Sequence, residues 1–183
     1  MQETDFIEQL QKGDEQAFRR LVEDHSQMIF NTCYSFLKNR DDADDIAQDV
    51  FVEAFQSIRK FRSEANIRTW LYRIAINKSL NFMKRQKRHS FTDDFTKIRH
   101  ESLEEDAASR ETEDAERKKV LDSAIQSLSK NQRIAFTLHK MDDKSYKEVS
   151  EIMDVSVSSV ESLMHRAKTN LQKKLVHYYK SQR

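Results

Sequence analysis

The sequence contains no proline and only one glycine, Gly13, among its 183 residues. A chain of this length with average composition would hold about 9 prolines and about 13 glycines. Hairpin turns and bulges depend on glycine, and proline is common at strand ends, so both deficits argue against a β-sheet protein. Long stretches rich in Ala, Leu, Glu, Lys and Arg favour helices instead. Because apolar residues make up only 37% of the chain, we expect an all-α fold of two small helical domains.

Several kinds of functional site are also missing. Cys33 is the only cysteine, which excludes an intramolecular disulfide, and its apolar helical surroundings predict a buried thiol. The histidines lack metal-ligand spacing, and there is no glycine-rich phosphate loop or nucleophile elbow. No apolar run is long enough to span a membrane, and the N-terminus lacks the apolar segment of a secretion signal. We expect a cytoplasmic protein that is not an enzyme, binds no metal or cofactor and does not insert into membranes.

Charge is distributed unevenly although the formal net charge is only +1. Residues 57–88 carry ten lysines and arginines against one acid, and residues 165–183 carry six and no acid. Residues 101–116 carry eight acids against one arginine. Strong local charges that cancel over the whole chain indicate separate basic contact surfaces joined by an acidic segment.

Hydrophobic periodicity divides the chain into two helical parts. Apolar residues at helical spacing predict a block over residues 4–38, interrupted at Gly13, and helices over about 42–58 and 67–88. Apolar residues then become rare and acids accumulate, which is typical of a flexible acidic linker. The expected boundaries are residues 1–90 for the first domain, 91–117 for the linker and 118–183 for the second domain.

The second domain contains the pattern of a helix-turn-helix. The residues SYKE, from Ser145 to Glu148, form a capping box that opens a short helix, and Ser156 is the N-cap of the next. Such a helix pair is typical of duplex DNA binding, although a solvated helix on a bundle would share the pattern. Glu161 on the second helix would either accept a hydrogen bond from cytosine N4 or merely repel phosphates. The face expected to contact DNA comprises Ser158, Ser159, Glu161, Ser162, His165, Arg166 and Thr169.

The helix predicted over residues 67–88 has a face without acids. Aromatic planes stack on unpaired bases, asparagines bind base edges, and lysines and arginines bind phosphates. This combination favours single-stranded or opening DNA over closed duplex, although Trp70 would fit equally well in the core. The face comprises Trp70, Arg73, Asn77, Asn81, Lys84 and Arg88, and the preceding loop adds Phe61 and Arg62.

The helix predicted over residues 42–58 has the opposite charge. Six acids and no cation lie between Asp41 and Glu53. Acids near a helix N-terminus are also favoured by the helix dipole, which is the alternative explanation. The apolar residues Val52 and Phe55, expected to be exposed among these acids, indicate instead a docking surface for a basic protein partner. The predicted docking face comprises Asp45, Gln48, Asp49, Val52 and Gln56.

Three segments together resemble bacterial RNA polymerase sigma factors. They are DADDIAQDVFVEAFQSI, KFRSEANIRTWLYRIAINKSLNFMKRQKR and SYKEVSEIMDVSVSSVESLMHRAKTNLQKKL. They are similar to the extracytoplasmic-function (ECF) group of the sigma-70 family, which keeps only sigma regions 2 and 4. The resemblance covers essentially the whole chain. It implies core RNA polymerase, promoter DNA and an anti-sigma factor as partners.

The resemblance also implies roles for the surfaces described above. The acidic docking face would bind the clamp helices of the largest polymerase subunit, and the linker would thread towards the RNA exit channel. The loop over residues 60–66 and the helix after it would melt the minus-ten element, with Phe61 and Asn77 at positions that line the family's pocket for a flipped base. The helix-turn-helix would bind the minus-thirty-five element.

Two sites depart from the family pattern. The loop has Ser63, Glu64 and Ala65 where the family commonly has Gly, Asp and Ser. The second helix of the helix-turn-helix has Glu161 and Leu163 where many members carry basic residues. The base preferences of the family therefore do not carry over. A stand-alone helix-turn-helix regulator is the main alternative function, but it leaves the acidic helix unexplained. A helical adaptor without DNA binding is a second alternative, but it leaves the basic faces unexplained.

Overall fold

The computed structural model describes residues 3–61, 66–93 and 109–181, and every regular element within them is helical. The all-α prediction is therefore confirmed for the described part of the chain. A short 3-10 turn over Ile58–Lys60 follows the third helix. The helices are α1 (Glu3–Lys12), α2 (Glu15–Leu37), α3 (Arg40–Ser57), α4 (Ile67–Asp93), α5 (Ser109–Gln126), α6 (Lys130–Lys140), α7 (Tyr146–Met153) and α8 (Val157–Ser181).

Local capping explains where the first helices begin and end. Gly13 ends α1 with a φ of +82°, a left-handed conformation that glycine adopts without steric cost. Asp14 then caps α2, because its carboxylate accepts a hydrogen bond of 2.9 Å from the Ala17 amide. Asn39 caps α3 in the same way through the Asp42 amide, at 3.0 Å. The break predicted at Gly13 is thus present.

Helices α1 to α4 form the N-terminal domain. Its core contains the fully buried side chains of Leu21, Ile29, Val50 and Leu71. The predicted burial of Cys33 is confirmed, and that burial raises the pKa of its thiol to about 11. The thiol is therefore protonated at neutral pH and has a packing role.

Helices α5 to α8 form the C-terminal domain. The predicted capping box is present at the start of α7, where Ser145 and Glu148 exchange hydrogen bonds. This exchange lowers the pKa of the Glu148 carboxyl. The buried side chains of Val149 and Val160 join α7 to α8, and a further cluster containing Leu171 packs α5 on the far part of α8.

The two domains pack against each other. Tyr72 and Ile76 of α4 share one buried apolar cluster with Leu138 of α6 and Ile152 of α7. Ser35 of α2 also donates a hydrogen bond to the Asp142 carboxylate, which follows α6. Burial raises the pKa of that carboxyl, and the hydrogen bond from Ser35 only partly offsets the effect. The N-terminal and C-terminal domains therefore meet through an apolar contact with polar pairs around it.

The predicted linker over residues 91–117 is partly helical. Helix α4 continues to Asp93, and α5 already begins at Ser109. Both ends of the predicted linker are therefore helical, which the sequence pattern did not indicate because apolar residues are scarce there. Residues 109–117 are mostly Glu, Arg, Ala and Asp, and Glu, Arg and Ala favour helix even where little apolar surface is buried. Residues 94–108 lie outside the described part of the chain.

Candidate nucleic-acid and polymerase interface

Helix α3 presents the predicted docking face to solvent. Its opposite side packs into the core through Ile46, Val50 and Ala54. Val52 is 54% exposed and Phe55 is 55% exposed, both as expected from the sequence. The Phe55 ring meets Phe18 of α2 edge-on, with 5.0 Å between the ring centroids. The predicted members Asp45, Gln48, Asp49, Val52 and Gln56 are all exposed.

The acidic face has a cationic neighbour that the sequence pattern did not reveal. The ammonium of Lys78 on α4 lies 3.2 Å from the Glu53 carboxylate and 3.7 Å from that of Asp49. These pairs are largely solvated, so they contribute little to stability. They nevertheless place one positive charge at the edge of the acidic face, where α3 and α4 meet.

The predicted single-strand face of α4 is only partly open. Asn77, Asn81, Lys84 and Arg88 are exposed, whereas the side chain of Trp70 is half-buried. The Trp70 ring packs on Phe61, with ring centroids 5.1 Å apart and planes tilted by 45°. These residues lie on one side of the helix, as predicted from their spacing.

Phe61 itself is a core residue. It is only 9% exposed and joins the apolar cluster of the N-terminal domain. An open DNA contact through the Phe61 ring, as expected from the sequence, is thus not available in this arrangement, because the ring fills space beneath Trp70. Arg62 and the rest of the loop over residues 62–65 lie outside the described residues.

Arg73 is bound by the other domain. Its Nε donates to the carbonyl oxygen of Ile152 at 3.0 Å, and Nη2 donates to that of Glu151 at 2.9 Å. The Asp154 carboxylate lies 3.9 Å from the guanidinium. The last carbonyls of a helix lack intrahelical partners and carry partial negative charge, so Arg73 stabilises the C-terminal end of α7. Two of its nitrogen atoms, Nε and Nη2, are therefore already engaged within the chain.

Helices α7 and α8 form the predicted helix-turn-helix. Asp154 ends α7 with a φ of +56°, and the Ser156 hydroxyl accepts from the Ser159 amide at 3.2 Å at the start of α8. Val157 is 41% exposed because it lies in the first turn of α8, beside the loop. The predicted contact residues Ser158, Ser159, Glu161, Ser162, His165 and Arg166 are exposed, and Thr169 is half-buried.

The exposed face of α8 has few internal partners. The Thr169 hydroxyl donates to the carbonyl oxygen of His165 at 3.0 Å, within the helix. Among the described residues, Glu161 and Arg166 form no ion pair or side-chain hydrogen bond. The Glu161 carboxylate and the Arg166 guanidinium are therefore available to a ligand without a prior rearrangement, whereas the hydroxyls of Ser158 and Ser159 are hydrogen-bonded to that of Ser156.

Comparison with known proteins assigns the family. Residues 21–89 match the model of sigma-70 region 2, and residues 118–171 match that of sigma-70 region 4. The chain belongs to the sigma-70 family. The ECF RNA polymerase sigma-E factor of Escherichia coli is 31% identical over 92% of each chain. The RNA polymerase sigma-H factor of Pseudomonas aeruginosa is 32% identical over 95% of this sigma factor and 94% of its own length.

Solved structures have the same fold. The structure of CnrH in complex with the cytosolic domain of CnrY matches with a TM-score of 0.61 and 24% identity, over 94% of this chain and 96% of CnrH. RpoE from Bartonella quintana, in complex with the anti-sigma factor NepR, matches with a TM-score of 0.57 and 21% identity, over 86% and 96% of the two chains.

These relationships identify an ECF sigma factor, which acts with core RNA polymerase on promoter DNA in promoter-specific transcription initiation. The stand-alone regulator is thereby rejected, because both sigma regions are present in one chain. Sigma factors are non-catalytic initiation factors. Within the described residues, no helix has the length and apolar character needed to cross a membrane, and no group of side chains could hold a metal ion.

Proposed function

We propose that this sigma factor docks on the clamp helices of the largest polymerase subunit through α3, melts the minus-ten element with α4, and binds the minus-thirty-five element with α8. The observation that carries the proposal is the division of charge over one chain. An exposed acidic helix lies beside a helix whose exposed face has no acid, and a second DNA-binding unit follows.

The proposed docking surface consists of Asp45, Gln48, Asp49, Val52 and Gln56. Its support is the coexistence of exposed acids with exposed apolar side chains on α3. Val52 gives the surface an apolar centre that solvent alone would not favour, and the acids around it complement a basic partner. Phe55 extends the apolar part of the same helix at the flank of this surface.

The proposed minus-ten surface consists of Trp70, Arg73, Asn77, Asn81, Lys84 and Arg88, with Phe61 and Arg62 before it. Asn77 is exposed midway along α4, where its amide could hydrogen-bond a base edge. Lys84 lies two turns further and would bind phosphate. Phe61 would act beneath Trp70, as a support for the indole.

The proposed minus-thirty-five surface consists of Ser158, Ser159, Glu161, Ser162, His165, Arg166 and Thr169. Support comes from the geometry of α7 and α8, which exposes the N-terminal half of α8 as a groove-binding helix requires. Small hydroxyls permit a close approach of the backbone to DNA. Lys168, Lys173 and Lys174 continue the positive charge along exposed positions of the helix.

We infer an anti-sigma factor as a further partner, because both structural neighbours were solved as complexes with another protein, NepR being named an anti-sigma factor. The same function places the protein in the cytoplasm, where the polymerase and promoters are. The polymerase would supply all catalytic chemistry, so this chain is proposed to have no enzymatic activity of its own.

Reconstituted transcription tests the proposal. Core polymerase should start at defined genomic sites only when this sigma factor is added, and mapping the starts would give both promoter elements at once. Core polymerase alone is the control for non-specific initiation. A complete lack of sigma-dependent start sites on any genomic template would reject the proposed function.

A further inference from the structure

Helix α1 precedes the residues that match sigma-70 region 2, which begin at residue 21. It is nevertheless firmly attached to the N-terminal domain. Ile7 and Leu10 are buried in the same apolar cluster as Ile58 and Phe61. The guanidinium of Arg20 on α2 also lies 5.4 Å from the centroid of the Phe6 ring. Helix α1 is therefore a fixed support against which the end of the 3-10 turn rests.

One side chain of α1 reaches the residue beneath the indole. The Nε2 amide of half-buried Gln11 donates to the carbonyl oxygen of Phe61 at 2.8 Å, across 50 residues of sequence. The Phe61 amide donates to the carbonyl oxygen of Ile58 at 3.0 Å. Both backbone hydrogen-bonding groups of Phe61 are thus engaged, which restricts its backbone and, through it, the direction of its ring.

Phe61, whose carbonyl oxygen Gln11 binds, also supports Trp70 through its ring. Phe61 packs against the indole at 5.1 Å, a distance at which aromatic rings interact favourably. The backbone of Trp70 is held in the first turn of α4, where its amide donates to the carbonyl oxygen of Asn66 at 3.1 Å. A chain of contacts therefore runs from Gln11 through Phe61 to the aromatic residue on the proposed minus-ten surface.

We propose that Gln11 is a positioning residue for promoter melting: its amide fixes the Phe61 carbonyl, and the Phe61 ring then holds Trp70 in the orientation that receives an unpaired base. The inference rests on the proposed minus-ten function of α4. A side chain that must meet a ligand in one geometry binds more tightly when neighbouring residues already hold it in that geometry. The entropy cost of ordering the side chain is then not incurred on binding. A hydrogen bond with a purely structural role would add stability to the fold without a selective effect on promoter melting.

The variant Gln11→Met tests this role, because methionine keeps the length and helix propensity of the side chain but cannot donate to the carbonyl. Gln9→Met is the matched control on the same helix, since the Gln9 side chain makes no hydrogen bond with a described residue. Gln11→Lys restores a donor of similar reach. Thermal unfolding of all three variants would show that each is folded at the assay temperature.

Fluorescence gives the first readout, because Trp70 is the only tryptophan in the chain. Gln11→Met should shift its emission and increase quenching by acrylamide in the free protein, whereas Gln9→Met should not. This measurement needs neither polymerase nor DNA. Identical fluorescence in the wild type and Gln11→Met would overturn the contact chain on which the proposal depends.

Initiation gives the second readout. With core polymerase, Gln11→Met should slow permanganate-detected melting by roughly three- to ten-fold, the size expected from one hydrogen bond. Initial binding to closed promoter DNA should be unchanged, and Gln11→Lys should recover most of the melting rate. Equal slowing of binding and melting, or unaltered melting despite altered fluorescence, would overturn the positioning role. If the wild type itself melts no promoter, the proposed function fails and this inference with it.

Discussion

The two proposed DNA surfaces of this sigma factor differ in how the fold holds them. The face of α8 points to solvent, and Glu161 and Arg166 have no side-chain partner among the described residues. The face of α4 is engaged: Arg73 is bound to the end of α7, and Trp70 is half-buried on Phe61. The proposed α8 surface is thus free to meet duplex DNA, whereas full use of the proposed α4 surface would require Arg73 to leave the end of α7.

This difference fits the tasks of the two surfaces. Duplex DNA exists before the polymerase arrives, so a helix that binds it can be exposed permanently. A surface for unpaired bases is useful only after docking, and intramolecular contacts can cover it until then. The free energy of polymerase docking would offset the loss of the contacts of Arg73 and of the apolar cluster between the domains.

The largest expected effect is on core-polymerase binding, from a variant that should prevent docking without affecting the binding of DNA by α8. Asp49→Arg should weaken core-polymerase binding at least a hundredfold and so abolish melting, because it places a cation on the acidic docking face. Binding of α8 to duplex DNA should be unaffected. Glu23→Arg, at an exposed position of α2, controls for the charge change. Normal retention of Asp49→Arg on immobilised core polymerase would contradict the docking assignment.

Asn77→Ala should slow open-complex formation roughly tenfold while leaving initial promoter binding intact, because the amide contacts a base only after strand separation. Permanganate footprinting measures melting, and a mobility-shift assay at low temperature measures initial promoter binding. Asn31→Ala, at an exposed asparagine of α2, is the control. Unchanged melting would remove Asn77 from the minus-ten surface.

Arg73→Ala should have two separate effects, one on the size of the free protein and one on melting by the polymerase-bound protein. Without the hydrogen bonds to Ile152 and Glu151, the free chain should have a larger radius of gyration in X-ray scattering. In the polymerase complex, melting should fall a few-fold, because a phosphate contact is lost. Arg73→Lys keeps the charge but not the paired hydrogen bonds, so it should affect the free protein more than melting. A compact Arg73→Ala protein would show that the apolar cluster alone keeps the domains together.

Glu161→Ala examines the open surface. If the carboxylate accepts a hydrogen bond from cytosine N4, the variant should lose roughly five-fold discrimination at one base pair of the minus-thirty-five element, equal to about 1 kcal/mol. If it only repels phosphates, binding to all duplexes should tighten uniformly. Binding measurements with every single-base variant of the element distinguish the two outcomes.

The smallest expected effect concerns pH. The raised pKa of Asp142 means that the packed domains favour its protonated form, so its contribution to stability rises as the pH falls through the raised pKa. Ser35, Lys38 and Lys144 partly oppose the shift. Asp142→Asn should therefore melt slightly above the wild type at pH 7, by a few degrees at most, and lose this advantage as the pH falls and the Asp142 carboxyl of the wild type becomes protonated. Parallel melting curves of both proteins across this pH range would refute the assignment.

The local features of the fold were largely predictable. The break at Gly13 and the capping box at Ser145 depend on residues a few positions apart, so the sequence contains the complete signal. The start of α5 was missed because its charged residues resemble those of a linker, although many of them favour helix. The exposure of the predicted α3 and α8 faces likewise follows from helical periodicity.

The partners of three residues were not predictable. Nothing near Arg73 indicates that its guanidinium binds carbonyls 78 and 79 positions further along the chain. Phe61 looked like a loop residue because its neighbours are basic and polar, and only the packing of α1 shows why the ring is buried. No sequence pattern indicates that the ammonium of Lys78 reaches two carboxylates of α3.

The sequence by itself determined the helical fold, the two sigma regions and the sign of charge on each exposed face, because periodicity, capping and composition act over one or two turns. Only the tertiary structure decided which of those faces are free. The hydrogen bonds of Arg73 to α7 and the support of Trp70 by Gln11 and Phe61 form between groups that meet only when distant helices pack. Such contacts produce no periodic pattern in the sequence.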